Sequence, residues 1–360
     1  MTKEWMGKMG TTLVDVAEAA GVSTMTASRA FSGAGYVAEE VKAKVLEAAA
    51  SLGYSPDAAA RMRKSGRTNV VGFVVTDMTS TVINEFVAEM GAVVHEHHMD
   101  LLIYNTFGEL DVDGGKRISE LLDSLWDGLV FVTPRMTEPY LQTLEKSDTP
   151  VVLVNYCARE TSLPVVIGDN VNCSRDAVTH LIDLGHRRIG FIRGTPYSGQ
   201  SAERERGYRL ALEQAGIVAD ERLVGQGEFN EHTGFEAARL LLAQPDRPTA
   251  IFAANDAMAI GCMRAAREAG LKLPDQLSLV GFDDMAGAGM LQPGLTTLRH
   301  PAPEMARAAV GELIRRIHNE PGKRQRMTFP GELVIRASTA PPDVATPGKE
   351  RARRPRKSAA

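Results

Sequence analysis

The sequence contains few cysteines and no long apolar run. Its three cysteines are Cys157, Cys173 and Cys262, and none belongs to a CxxC pair. This spacing argues against a disulfide framework and against a structural zinc site. No run approaches the roughly 20 apolar residues of a membrane-spanning helix, and the first residues lack the apolar segment of a signal peptide. We therefore expect a protein of the reducing cytoplasm with no membrane partner.

Motifs of the common enzyme classes are missing as well. No GxSxG, P-loop or HExxH sequence occurs, and no carboxylate pair has a spacing typical of acid–base catalysis. His95, His97 and His98 cluster near a predicted helix end, but no thiolate or carboxylate stands at ligand spacing from them. We interpret these histidines as a solvated face. The sequence therefore predicts a protein that is not an enzyme and needs neither a metal nor a cofactor.

Length and charge indicate several domains. A chain of 360 residues is expected to form two or three. Residues 1–67 carry nine Lys/Arg against seven Asp/Glu and residues 341–360 carry six against two, although the net charge is −4. Weakly basic ends around an acidic middle suit a chain whose terminus contacts nucleic acid. The Pro-rich tail 341–360 is predicted to be disordered and solvated, in preference to an accessory DNA contact.

The segment from Thr12 to Phe31 has the pattern of a helix-turn-helix. Thr12 is predicted to cap a helix that ends at Gly21, and Ser23 to cap a second helix that begins at Thr24. Two helices cross closely only where their side chains are small. Such residues here are Val16, Ala17, Ala20, Ala27 and Ala30. In a helix-turn-helix the second helix lies in the major groove of DNA, and the alternative for this stretch alone is an ordinary helical corner.

Two further helices are predicted before residue 68. One spans residues 39–52. Its packing face is predicted to hold Val41, Val45, Leu46 and Ala49. The other spans residues 57–64 after Pro56, and its eight residues are too few for a stable isolated helix. It therefore needs a partner in order to form.

From Asn69 onward, apolar strand-like runs alternate with amphipathic helices. Predicted strands are 70–75, 101–104, 128–132, 151–154, 165–167, 189–192, 249–253 and 278–282, followed by a last strand pair within 326–336. Predicted helices are 84–98, 115–125, 138–147, 172–184, 202–215, 231–243, 257–269 and 303–318. This alternation predicts an α/β fold of two doubly wound parallel-sheet units, with a ligand cleft between them at the carboxyl ends of the strands.

Motifs along nearly the whole chain resemble those of the LacI/GalR family of bacterial transcription regulators. They are VDVAEAAGVSTMTASRAFSG, YSPDAAARMRKSGRTNVVGFVV, WDGLVFV, IGDN, LGHRRIGFI, RERGYRLALEQAG, RPTAIFAANDAMAIG, LSLVGFDD and LTTLRHP, in that order. The resemblance implies a helix-turn-helix domain (1–55), a hinge helix and linker (56–68) and a two-lobed core like that of periplasmic sugar-binding proteins (69–340). It also implies a homodimer that a small molecule controls.

The resemblance places operator recognition on the second helix. Thr24 and Met25 open that helix and are expected to set operator choice. Arg29 can pair bidentately with guanine O6 and N7, which makes it the strongest single candidate. Phosphate contacts are expected from Thr12, Thr26 and Ser28.

The predicted hinge helix departs from the family pattern. Family members usually insert a leucine into the minor groove, and Arg63 occupies that position here, preceded by Met62. Either Met62 replaces the wedge, or Arg63 reads a narrow A·T-rich groove; the second alternative is preferred. The full set of DNA contacts expected in this segment is Tyr54, Arg61, Met62 and Arg63.

The resemblance also places effector contacts at strand ends that face the cleft. These are Val82, Ile83, Asn155, Tyr156, Gln200, Arg204, Phe229, Asn255 and Asp283. Asp283 can accept hydrogen bonds from two hydroxyls, Arg204 can donate to hydroxyls or a carboxylate, and the aromatic rings can stack on an apolar sugar face. The alternatives are an exposed helix face for Arg204 and an ordinary turn for Asp283.

These features together predict a dimeric repressor of a carbohydrate-utilisation operon, released from a pseudo-palindromic operator by a small sugar or sugar-acid effector. A regulator that needs a corepressor is the nearest alternative. A cytosolic solute-binding protein and a sugar enzyme on the same core fit the helix-turn-helix less well.

Overall fold

The computed structural model describes residues 12–32, 35–52, 54, 67–108, 125–320 and 326–343. The chain divides into two compact units, with the main boundary between Asn69 and Val70. Within the described ranges, no helix is both long enough and apolar enough to cross a membrane. The predicted hinge helix, residues 115–124 of the predicted helix 115–125 and most of the basic tail lie outside these ranges.

The N-terminal unit contains three helices: α1 (Leu13–Ala19), α2 (Thr24–Ser32) and α3 (Glu39–Ser51). Thr12 caps α1 as predicted, because its Oγ1 accepts from the Asp15 amide at 3.4 Å while the Thr12 amide donates to Asp15 Oδ2 at 2.7 Å. The Thr12 hydrogen bonds lower the pKa of Asp15. Gly21 has a φ of 66°, the conformation that ends α1.

Small apolar side chains form the core of this unit. The buried residues are Val16, Ala17, Ala27, Ala30, Val45 and Ala49, which confirms the predicted close crossing of α1 and α2. The prediction for Leu46 was wrong, because its exposed fraction is 46%. Leu46 lies about 100° around the helix axis from Val45, on the side that faces away from this core.

The second unit alternates strands with helices. Its strands are β1 (Val70–Val75), β2 (Asp100–Asn105), β3 (Gly128–Val132), β4 (Val151–Val154), β5 (Val165–Gly168), β6 (Ile189–Arg193), β7 (Val224–Gln226), β8 (Ala250–Ala253), β9 (Ser278–Val280), β10 (Thr297–Arg299), β11 (Arg326–Phe329) and β12 (Glu332–Val334). Its helices are α4 (Thr81–Glu96), α5 (Glu138–Glu145), α6 (Asn170–Asp183), α7 (Gly199–Gln214), α8 (Glu231–Leu242), α9 (Asp256–Glu268) and α10 (Ala302–Ile317).

Two parallel sheets form two lobes. The first lobe contains a six-stranded sheet of order β11-β5-β4-β3-β1-β2, and the second contains a four-stranded sheet of order β7-β6-β8-β9. Strands β3, β4 and β5 are buried along their whole length, which explains their continuous apolar sequences. Helices α4 and α10 pack on the first sheet, and α6 to α9 contribute to the core of the second. The predicted α/β architecture is therefore confirmed.

The predicted strand pair within 326–336 was wrong in its pairing. β11 pairs in parallel with β5 in the first lobe, whereas β12 pairs antiparallel with β10 in a separate two-stranded sheet. Between them stands Gly331, where an added Cβ would lie 2.8 Å from the Arg299 carbonyl oxygen. The chain turns through this crowded point because glycine has no side chain, and the two strands separate.

Candidate ligand cleft and nucleic-acid interface

The carboxyl ends of strands in both lobes face a cleft of about 800 Å³, where a ligand site is expected in folds of this type. First-lobe residues at its wall include Thr76, Thr133, Pro134, Arg135, Met136, Asn155, Tyr156, Cys157, Ala158 and Arg159. Second-lobe residues include Thr195, Pro196, Tyr197, Ser198, Gly199, Gln200, Ala202 and Phe229. The volume suits a ligand the size of a sugar.

Three residues that line the cleft, and Asp283 behind its wall, have a positive φ. Thr133, Asn155, Phe229 and Asp283 have φ values of 50°, 55°, 62° and 115°. Side-chain-bearing residues seldom adopt positive φ, and a β-branched or bulky residue does so at a cost. Such conformations persist where the surrounding structure imposes them, and they are common at binding sites.

Four of the nine expected effector residues line the cleft: Asn155, Tyr156, Gln200 and Phe229. The tip of the Phe229 ring lies against Gly194, where an added Cβ would be 2.0 Å from Cζ. Burial raises the pKa of Tyr156, and Arg159 partly opposes that rise.

Asn155, like its neighbour Tyr156, is a buried residue of the cleft wall with a polar side-chain atom that lacks a partner among the described residues. Its exposed fraction is 5%, yet its Oδ1 has no hydrogen-bond partner within the part of the chain that the structure describes. Its backbone amide donates to the Val166 carbonyl at 2.8 Å. The backbone of Asn155 is therefore fixed by the sheet, while its side-chain acceptor is unused. A buried acceptor of this kind can be completed by a ligand hydroxyl.

Arg204 and Asp283 lie in a buried network behind Phe229. The Arg204 guanidinium donates to Asn170 Oδ1 at 3.0 Å, to the Ala254 carbonyl, and to Asp283 Oδ1 at 3.4 Å. His300 Nε2 is also 3.4 Å from Asp283 Oδ1. Burial lowers the pKa of Arg204, and the charge of Asp283 opposes that change.

Aromatic rings enclose the same guanidinium. Arg204 Cζ is 3.6 Å from the centroid of the Phe282 ring and 5.9 Å from that of Phe229. Such cation–π contacts are favourable where the cation is desolvated. Arg204 is therefore buried and satisfied rather than on the exposed helix face that the sequence left open.

Asn255 also has its polar atoms engaged. Its Oδ1 accepts from the Met258 amide at 3.0 Å and so caps α9, while its Nδ2 donates to the Phe229 carbonyl at 3.0 Å. The next residue, Asp256, accepts from Thr297 Oγ1 at 2.5 Å. Burial, together with the charge of Asp283, raises the pKa of Asp256 to about 8.

Val82 and Ile83 are not brought to the cleft wall. Both lie in the first turn of α4, where Ile83 has an exposed fraction of 4% and belongs to the first-lobe core, and Val82 packs against that core. They are apolar residues on the inner side of an amphipathic helix, and burial against the sheet satisfies them. Their expected effector contact stays a prediction.

Arg135 and Arg159 are cleft residues that the sequence reasoning missed. Arg135 follows β3 by three positions and Arg159 follows β4 by five. Both are exposed, and Arg159 donates to the Met136 carbonyl at 3.1 Å. Their sequence positions could have identified them, because residues just beyond the carboxyl ends of parallel strands lie together at one edge of the sheet.

The candidate nucleic-acid interface is the outer face of α2. Met25 has an exposed fraction of 64%, and Thr24 and Arg29 are exposed beside it. Thr26 Oγ1 and Ser23 Oγ are 2.9 Å apart, so the Thr26 hydroxyl already takes part in the helix cap. An apolar methionine at the surface of an isolated domain is costly to hydrate, and it suits contact with a thymine methyl.

The other expected DNA contacts have mixed positions. Ser28 is half-buried on α2, and the Thr12 hydroxyl donates to Asp15 Oδ2 at 2.8 Å. The Tyr54 ring lies 5.6 Å from that of Phe31, so it packs on the helix-turn-helix core. The hinge residues Arg61, Met62 and Arg63 lie outside the described residues.

The described ranges contain neither a cluster of metal-binding side chains nor a disulfide. No cluster of three His, Cys, Asp or Glu side chains there could hold a metal ion. All three cysteines are free thiols. The polar and aromatic groups at the cleft wall are those of arginine, amide, hydroxyl and phenyl side chains, with the thiol of Cys157.

Comparison with known proteins gives two domain matches. Residues 12–57 match the model for bacterial regulatory proteins of the lacI family, and residues 178–339 match a periplasmic binding protein-like domain. Catabolite control protein A of Priestia megaterium is 30% identical over 92% of this chain and 100% of its own length.

Solved structures with a similar fold include two transcription regulators. The transcriptional regulator CelR in complex with cellobiose aligns with a TM-score of 0.70 and 29% identity, over 91% of this chain and 99% of its own. The lac repressor dimer bound to operator and the anti-inducer ONPF aligns with a TM-score of 0.84 and 25% identity, over 92% of this chain and 99% of its own.

Proposed function

Because the chain belongs to the LacI family of bacterial transcription regulators, we propose that it represses a carbohydrate-utilisation operon and that a small sugar or sugar acid releases it from its operator. The observation that carries the proposal is the presence, in one chain, of an exposed α2 face and a sugar-sized cleft. The similar CelR has a complex with cellobiose, and the lac repressor has one with operator.

DNA recognition is assigned to α2. Arg29 reads a guanine, Thr24 and Met25 select neighbouring bases, and the hydroxyls of Thr12, Thr26 and Ser28 contact phosphates. Tyr54 and the hinge residues Arg61, Met62 and Arg63 add contacts beyond the helix-turn-helix. Two copies of α2 in a homodimer would occupy successive major grooves of a pseudo-palindromic operator.

Effector control is assigned to the cleft. We assign direct ligand contacts to Asn155, Tyr156, Gln200 and Phe229. Further contributions come from Arg204, Asn255 and Asp283, and from Val82 and Ile83 in the first turn of α4. An effector that prefers one arrangement of the lobes weakens operator binding, and operator then weakens effector binding by the same factor. The protein acts in the cytoplasm and is not an enzyme.

A corepressor-dependent regulator is the second candidate. The same cleft would then hold its ligand more tightly in the DNA-bound arrangement. A gel-shift titration distinguishes the two candidates, because an inducer lowers the affinity for operator and a corepressor raises it. A cytosolic solute-binding protein predicts no specific DNA binding at all.

Arg29→Ala tests the assignment of the recognition helix. One lost bidentate guanine contact costs about 1–3 kcal/mol, so we expect operator affinity to fall by about tenfold or more. Gel shifts would use a site selected by the parent protein from random DNA. Arg239→Ala, on the second-lobe surface, is the matched control and should bind like the parent. Equal affinity of Arg29→Ala and the parent would contradict the assignment.

A further inference from the structure

The wall of the cleft carries positive charge without a matching negative charge. Arg135 and Arg159 both line it, and the lining residues include no Asp or Glu. Neither arginine forms an ion pair with any carboxylate that the structure describes. The nearby Glu203 is engaged elsewhere, by Arg326 at 3.3 Å and by Asn170 Nδ2 at 2.9 Å. The cleft therefore presents two guanidinium groups that lack a counter-charge.

The Arg159 guanidinium lies against the chain segment that carries Arg135, and the chain just before Arg159 lies against the second lobe. The Arg159 guanidinium donates to the carbonyl of Met136, which directly follows Arg135. On the other side of the cleft, an added Cβ on Gly199 would lie 2.5 Å from the Cys157 carbonyl oxygen and 2.7 Å from the Ala158 amide. The N-terminus of α7 therefore touches the chain just before Arg159, and Arg135, Arg159 and this helix end all line the same cleft.

The N-terminus of α7 adds unpaired donors. α7 has 16 residues, and Ser198 caps it by accepting from the Ser201 amide at 3.4 Å. The amides of Gly199 and Gln200 have no hydrogen-bond acceptor among the residues described. Free amides and the helix dipole favour an anion at such a terminus. Both residues also line the cleft.

The unused acceptor of Asn155 indicates what else the ligand carries. Asn155 lines the same cleft and is nine-tenths buried, with Oδ1 unpartnered. That atom can accept from a hydroxyl but cannot bind an anion. Asp283, the group expected to bind hydroxyls of a neutral sugar, contacts Arg204 and His300 through Oδ1 and is not among the residues that line the cleft. The free polar groups thus match a molecule with hydroxyls and a negative charge.

We propose that the effector is an anionic sugar derivative, whose phosphate or carboxylate lies between Arg135, Arg159 and the N-terminus of α7. This inference rests on the proposed function, since it names the ligand class of the same cleft. Arginine forms bidentate, charge-assisted hydrogen bonds with both kinds of anion. A hydroxyl of the sugar donates a hydrogen bond to Asn155 Oδ1.

Thermal unfolding with inorganic phosphate tests the anion subsite directly. At matched ionic strength, phosphate should raise the Tm of the parent above the value in chloride, because it binds the folded state. The double variant Arg135→Gln/Arg159→Gln should lose that increase. Arg267→Gln, an exposed arginine outside the cleft, should keep it. An increase that persists in the double variant, or its absence in the parent, would overturn the proposal.

Calorimetric titration then identifies the anion. D-glucose 6-phosphate, D-glucuronate and D-glucose differ in the charged group alone, so preference for the first or second separates a phosphate from a carboxylate. The preferred anion should bind at least about tenfold more tightly than glucose, and the double variant should remove the difference. Glucose binding as tightly as both anions would overturn the inference. The ligand-free double variant should bind operator as tightly as the parent. Failure of the anionic-ligand proposal can therefore be told apart from failure of the proposed repressor function, in which operator binding itself would be missing.

Discussion

The two walls of the cleft use polar groups in opposite ways. Behind the second-lobe wall, Arg204, Asp283 and Asn255 satisfy one another or nearby backbone groups. On the first-lobe wall, Arg135 has no ion pair and Asn155 has an unused acceptor, within the described part of the chain. The first set is complete without a ligand, whereas the second set is not.

This difference indicates that one set of residues stabilises the site and the other set determines which ligand binds. A buried charge must be paired, since an unpaired one carries a large desolvation cost. An exposed guanidinium can remain hydrated until an anion replaces the water. We infer that the second-lobe network fixes the position of Phe229, and that first-lobe side chains decide which ligand is bound.

Arg204→Met should give the largest effect. It leaves Asp283 buried with His300 as its remaining described partner, and breaking a buried ion pair costs about 3–5 kcal/mol. Denaturant unfolding would measure the loss in free energy of unfolding. Arg239→Met, which breaks an exposed pair with Glu236, should cost less than about 1 kcal/mol. Comparable losses for the two variants would show that the network is not a stability element.

The sequence predicts most of this fold because its long elements have strong patterns. The continuous apolar run of β1 and the caps at Thr12 and Ser23 are local signals, and the structure agrees with them. β7 and β10 were missed because three residues each are too few to show a periodicity.

The partners within the site could not be predicted in the same way. Arg204 and Asp283 are separated by 79 residues, so no local spacing indicates that each neutralises the other. The resemblance to the family predicted that Arg204, Asp283 and Asn155 contact a ligand in the cleft. It did not predict Arg135 as a cleft residue. Which polar groups are satisfied depends on tertiary contacts, and those decide the ligand.

Asn255→Ala should give an intermediate effect. It removes the cap of α9 and the hydrogen bond to the Phe229 carbonyl, and loss of an asparagine cap costs about 0.5–2 kcal/mol. Asn255→Ser keeps a capping oxygen and loses the bond to Phe229, so it should recover part of the stability. Equal free energies of unfolding for Asn255→Ala and the parent would remove the distinction between the two walls.

Asn155→Gly should give the smallest effect on stability, although the residue is nearly as buried as Arg204. Glycine adopts the observed φ of 55° without strain, and the side chain that is lost has an unpartnered Oδ1. The free energy of unfolding should therefore stay within about 0.5 kcal/mol of the parent, while affinity for the anionic sugar falls. A loss as large as that of Asn255→Ala would mean that Asn155 is already satisfied without ligand, and the two walls would then not differ.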